Sequence, residues 1–226
     1  HVNCHPLRNF FVMKRALAMF VSLMIAPAFA LADVELSFYG GVQSAPASDI
    51  SIRDPEIGDD DFSQDWEGRS FEAPPYYGIR ATQWQSPTFG FGLDFAHNKV
   101  YPADDSLPAG YEVLEFTDGL NTLTINAYRR WTGVAGDVTP YIGGGLGVAL
   151  PHVEVTNGTS ETFGYQLTGP AATWLAGATV PINDQWSFFG EYKGTFSSNT
   201  ADLESGGTLE TDIVTNALNF GVSFNF

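Results

Sequence analysis

The feature that most limits what this chain can fold into is a period of two. From Leu218 to Phe226 it reads LNFGVSFNF, with Leu218, Phe220, Val222, Phe224 and Phe226 separated by Asn219, Gly221, Ser223 and Asn225. Side chains of a strand alternate between its faces, so one face here is greasy and the other small or polar. The same alternation recurs in runs over about 34–44, 76–84, 89–101, 120–131, 139–153, 163–180, 186–196 and 213–226, and a helical period appears nowhere. Gly, Pro, Asn and Asp bound these runs. Their connections alternate between short (85–88, 132–138, 183–185) and long (45–75, 102–119, 154–162, 197–212).

Eight such runs with alternating turns predict an all-β fold, an eight-stranded antiparallel up-and-down transmembrane β-barrel with a polar, filled lumen. A soluble lipocalin-like barrel would turn the apolar face inward; a membrane barrel turns it into lipid, where closure satisfies every backbone group. The last strand decides for the membrane. Its Asn219-x-Gly221-x-x-Phe224-x-Phe226 resembles the C-terminal signal by which barrel assembly machinery recognises outer-membrane proteins. Tyr39, Tyr76, Trp84, Tyr101, Trp131, Tyr141 and Trp186 lie near run ends and are expected to form interfacial girdles.

Export is expected too. Residues 13–32, MKRALAMFVSLMIAPAFALA, combine a basic start with a short apolar core and the small residues Ala30 and Ala32 before a cleavage point. That core falls short of the ~20 residues a bilayer span needs. Residues 1–32 therefore read as upstream residues plus a signal peptide starting at Met13, and residues 33–226 as the barrel domain in the bacterial outer membrane. The one cysteine, Cys4, falls in the leader, so disulfides and thiolate metal sites are excluded from the barrel.

Arg8, Lys14 and Arg15 take three of the ten bases and none of the 26 acids, so the barrel domain carries 26 acids against seven bases. That sign excludes nucleic acid as a partner. Twenty of the acids, against Arg53 and Arg69 alone, fall in the four long connections. Contact with anionic lipopolysaccharide would need bridging cations, and IGDDDF (57–62) is a candidate Ca²⁺ or Mg²⁺ site without EF-hand spacing; the competing reading is a solvated acidic surface. Glu35, Arg80, Asp94, Arg130, Glu191 and Lys193 share the polar parity and must pair inside a lumen this narrow. A salt-bridged plug is expected over an ion path, with Arg80 facing Asp94 across the 85–88 turn. The glycines of GGGLG (143–147) read as close packing.

No Gly-x-Ser-x-Gly elbow, zinc-binding His pair or phosphate-cradling loop occurs. Candidate chemistry gathers instead where the strands meet the long connections. His97, Asn98 and Lys99 end the third run, with His97 and Lys99 on the lipid-facing parity, Glu115 and Asp118 lie on the return, and His152 and Glu154 end the fifth. These seven residues form the candidate catalytic set, although a lone rim Lys or His commonly snorkels to the interface.

The stretches WEGRSFEAPPYYGIR (66–80), FAHNKVY (95–101), LEFTDGLN (114–121), PHVEV (151–155), YQLTGPA (165–171) and GGTLETDIVTNALNFGVSF (206–224) resemble an outer-membrane barrel family known as lipid A oxidases. The resemblance implies O₂-dependent oxidation of the proximal glucosamine of lipid A to aminogluconate. Such chemistry needs a metal or organic cofactor. A divalent metal, iron in this reading, would draw its ligands from His97, His152, Glu115, Asp118 and Glu154. The expected partners are outer-membrane lipids, lipopolysaccharide and the barrel assembly machinery, with the protein itself a monomer. A non-enzymatic barrel serving envelope integrity or surface interaction stands beside the oxidase reading.

Overall fold

The computed structural model describes residues 34–226 except 57, 104–106, 108 and 159, and leaves the side chains of Thr117 and Asp118 undescribed. The expected signal peptide lies outside the described residues. Twelve strands follow in order: β1 (Val34–Ser44), β2 (Ser48–Asp54), β3 (Gly58–Gln64), β4 (Trp66–Glu67), β5 (Tyr77–Ser86), β6 (Phe89–Pro102), β7 (Val113–Arg130), β8 (Thr139–Thr156), β9 (Glu161–Tyr165), β10 (Gly169–Pro181), β11 (Trp186–Asp202) and β12 (Thr208–Asn225).

Eight of them, β1, β5, β6, β7, β8, β10, β11 and β12, hydrogen-bond in that order, all antiparallel. β1 then pairs with β12, from Glu35 opposite Asn225 to Ser44 opposite Asn216, which returns the ladder to its start. The Phe226 N–H extends this seam by donating to the Val34 carbonyl at 3.0 Å. The expected fold is the observed one.

Of the four further strands, β2, β3 and β4 come from a connection expected to be a loop, and β9 from the start of the run expected over 163–180. β2 pairs with β3 and also with the upper end of β12, Arg53 opposite Thr208. β4 pairs with the upper end of β6, and β9 takes over from β10 as the neighbour of β8. The run expected over 163–180 is thus two strands broken at 166–168. The wall continues above the barrel as a second storey.

The two storeys are built inside out from one another, and β12 shows the change. Toward its C-terminal end Leu218, Phe220 and Val222 point outward while Asn219, Gly221 and Ser223 are buried inside. Above Val214 the roles swap, with Glu210 and Asp212 outside and Leu209 and Ile213 inside. The upper interior gathers Ile50, Ile52, Trp66, Leu114, Phe116, Val153 and Leu209 into an apolar core. Each such aliphatic side chain contributes about 1.5–3 kcal/mol on leaving water. Apolar groups go inside where the outside is water, and outside where the outside is lipid.

Inside the lower storey space is short. Gly143, Gly145 and Gly147 lie in one inward row, and a Cβ at these positions would collide with the Tyr128 ring, with the Asn126 side chain and with the backbone at Leu123. The glycines make room for the long polar side chains of β7.

Parity also corrects the girdle. Trp131 and Trp186 are exposed on the outside as expected, but Tyr39, Tyr76 and Tyr141 are buried and Trp84 turns into the lumen. Tyr39 shares the face of Glu35, and Trp84 that of Arg80, so the alternation itself sends them inward.

The IGDDDF candidate falls on the β2–β3 hairpin, with Ile57 outside the described residues. Arg53 meets Asp61 at 2.8 Å and Asp59 at 4.0 Å. Asp60 alternates to the other face, so the three carboxylates cannot converge on one cation. The Asp61 carboxyl is held below its usual range by a hydrogen bond from Ser51 and then by Arg53.

Replacing the buried Ile52 by Asp should free the β2–β3 hairpin from β12 and leave the barrel closed. Limited proteolysis should then cut within residues 48–64 while the heat-dependent gel mobility of the folded barrel persists. Loss of that mobility would mean the two storeys unfold as one.

Candidate functional site

The lumen holds a charge cluster contributed by three strands. Arg80 on β5 and Asp94 on β6 are direct register partners, as expected, with Nε 2.8 Å from Oδ2. Glu191 on β11 accepts the rest of the Arg80 fork, at 3.0 Å from Nη1 and 2.8 Å from Nη2. Lys193 donates to Asp94 Oδ1 at 2.6 Å and to the Tyr39 hydroxyl at 2.7 Å, and Tyr39 donates to Asp94 in turn. Tyr141 and Asn219 donate to Glu191 at 2.6 and 3.1 Å. Two acids and two bases are neutralised with both carboxylates saturated, the condition under which buried charge is tolerable. Glu35 and Arg130 meet more loosely near the short-turn mouth, at 3.9 Å. The cluster ties β5 and β6 to β11 across the lumen.

The outward rim of β6, β7 and β8 is the candidate. Its shape comes from β7, where the pairing slips. Val100 faces Phe116 and Asn98 faces Leu120, so β7 spends two more residues than β6 between the same points, and β8 registers around the same bulge. Gly119 allows this turn: its φ is +90°, and a Cβ there would strike the His97 ring.

His97 and Lys99 keep the outward parity expected of them, but neither snorkels. His97 is 5% exposed; its Nδ1 pairs with Asn121 Oδ1 at 2.8 Å and its ring stacks on Tyr77 at 5.2 Å. Lys99 is fully buried, its Nζ 2.8 Å from the Tyr101 hydroxyl and 4.5 Å from the centre of that ring. Gln43 clamps the Lys99 backbone, its Nε2 donating to the carbonyl and its Oε1 accepting from the N–H.

Asn98 belongs to the opposite face. Its amide donates inward to the Leu120 carbonyl and the Thr122 hydroxyl, so it ties β6 to β7 and leaves the rim. On β8, His152 points outward and is enclosed edge-on by two rings of the β9 segment, Phe163 at 4.4 Å and Tyr165 at 4.8 Å. Those rings are themselves 64% and 63% exposed. Glu115 and Glu154 are register partners on the outward parity. The Asp118 side chain lies outside the described residues.

The structure therefore brings His97 and Asn121 together and sets Glu115 against Glu154, but holds the two histidines in separate aromatic settings. Among the described residues no three of His, Cys, Asp and Glu are placed to hold a metal ion. Tyr77, Gly119, Phe163 and Tyr165 join the rim unannounced. Gly119 had a local signal, the Asp-Gly pair that ends the 102–119 connection; Phe163 and Tyr165 had none, because the break at 166–168 puts them out of phase with Trp174.

No protein-family model and no curated protein matches the chain. Among solved structures it is similar to Neisserial surface protein A, at 15% identity and a TM-score of 0.49 over 86% of this chain and 97% of that one. It is similar also to the N-terminal β-barrel domain of Pseudomonas aeruginosa OprF, at 14% identity and 0.41 over 85% and 97%. For Ail, the attachment invasion locus protein of Yersinia pestis, the values are 10% and 0.35 over 83% and 99%. Likeness at this level carries no inference about activity.

Arg80→Leu should lower barrel stability by about 3–5 kcal/mol, because it leaves Asp94 and Glu191 buried with Lys193 as their one remaining cation. Urea unfolding in micelles, followed by tryptophan fluorescence, measures it. A loss below about 1 kcal/mol would contradict a dry, fully paired cluster.

Proposed function

We propose that this chain is an exported barrel of the bacterial outer membrane whose outward rim engages the lipid A headgroup of lipopolysaccharide. The observation that carries this reading is the placement of His97, Asn121 and His152 on the outward face of the wall, among Tyr77, Phe163 and Tyr165. On β8 the outward residues change there from Leu146 and Leu150 to Glu154, so the rim lies at headgroup depth. The protein works as a monomer, and its last strand is the segment the assembly machinery would read.

Oxidation of the proximal glucosamine by O₂ is the activity that the sequence resemblance implies. The described rim residues do not fit the iron that such a reaction calls for, because His97 stacks on Tyr77 while His152 is enclosed by Phe163 and Tyr165. No redox step is derived from them. What they support is recognition of a sugar headgroup, with the imidazoles as hydrogen-bonding groups and the rings as packing surface.

A second reading, a non-enzymatic barrel for envelope integrity or surface interaction, is favoured by the salt-bridged lumen and the self-contained upper storey. Binding of purified lipid A to the folded barrel in micelles separates the two. Saturable binding that the His97→Ala, His152→Ala double variant weakens at least about tenfold is the expected result. No binding, or binding undiminished in the double variant, would leave the second reading.

A further inference from the structure

Below the charge cluster, at the end of the barrel with the short turns, the lumen opens into a cavity of about 250 Å³. Its roof is Arg80, whose fork is already committed to Asp94 and Glu191. Its mouth is set by Glu35 at the start of β1, Asp137 in the β7–β8 turn and Arg130 at the end of β7. Glu35 Oε2 accepts from Trp84 Nε1 at 3.3 Å, and the Arg130 guanidinium lies 3.7 Å from the centre of a Trp84 ring. This is a shaped vestibule, and the rim reading gives it no role.

We propose that the vestibule binds a single neutral sugar ring. Three properties of the lining select that chemistry. The lining bases are already spent, Arg80 on Asp94 and Glu191 and Arg130 on Glu35, and Asp137 is exposed at the mouth, so an anion gains little. Between the charges stand the hydroxyls of Thr82, Thr139, Thr179 and Ser187, groups that both donate and accept as a polyol does. Trp84, Tyr128 and Phe189 add the aromatic surface on which the C–H face of a sugar packs.

The volume lies below the ~300–1,000 Å³ of sites for larger ligands, which limits the occupant to about one ring.

The test is saturation-transfer NMR on the full barrel domain in a detergent without a sugar headgroup, with D-glucose and N-acetyl-D-glucosamine as probes. Saturable transfer with a dissociation constant on the order of 1 mM is expected. Thr179→Leu, which fills the cavity from the strand end, should weaken it at least about tenfold while the heat-dependent gel mobility of the folded barrel is retained. Absence of transfer from both sugars, undiminished binding by Thr179→Leu, or preferential occupation by a zwitterion such as glycine would each overturn the proposal.

Discussion

Everything in this structure follows from the seam between β1 and β12. A sheet of eight strands has two edges of unpaired N–H and C=O groups, and in a hydrocarbon each such group costs several kcal/mol. Pairing Glu35–Ser44 with Asn216–Asn225 removes both edges together. Closure at eight strands also sets the width of the lumen, and that width leaves no room for loosely held charge. Arg80, Asp94, Glu191 and Lys193 are therefore a packing solution as much as an electrostatic one. The inward glycines of β8 are the space in which β7 sets its long polar side chains.

The same wall crosses from one solvent to another, and its side chains record where. Along β12 the outward residues are Phe224, Val222, Phe220 and Leu218 and then, beyond Asn216, Asp212 and Glu210. Inward residues change in the opposite sense at the same place. A membrane barrel that stopped at its lipid boundary would need only the lower pattern. This one carries the hydrogen-bonded wall onward, recruits β2, β3, β4 and β9 from its connections, and closes an apolar core above the polar one. The acidic residues then cover the water-facing outside of that upper storey. The rim of His97 and His152 lies at the crossing, where one strand surface meets both lipid and water.

How much was legible depended on whether a residue's fate is set by its parity alone. The eight runs, the short turns, the inward charges and the facing of Arg80 and Asp94 could all be read, because period two and closure suffice to place them. Tyr39, Trp84 and Tyr141 were misread as girdle residues by position along the strand, although their parity already sent them inward. The upper storey was hidden for a different reason. In DISIRD the apolar Ile50 and Ile52 alternate with polar residues, but acids and the next turn crowd around them, and the segment reads as loop. At the rim, parity put His97 and Lys99 outside correctly. It could not show that the Gly119 bulge would fold over His97, nor that Lys99 would lie buried beside Tyr101, since bulges and side-chain cover are tertiary. Asn98, one residue from each, faces inward and serves structure.

The central claim is that one strand carries two opposite polarities, apolar-out in lipid and apolar-in above it. Spin labels placed one at a time from Thr208 to Phe226, with collision rates measured for oxygen and for a water-soluble nickel complex, read this directly. The account predicts high oxygen accessibility at Leu218, Phe220 and Val222, high nickel accessibility at Glu210 and Asp212, and protection from both at Ile213, Asn219 and Ser223. Protection of Leu218, Phe220 and Val222 with nickel access at Asn219 and Ser223 would mean the apolar face is the interior, and would contradict it.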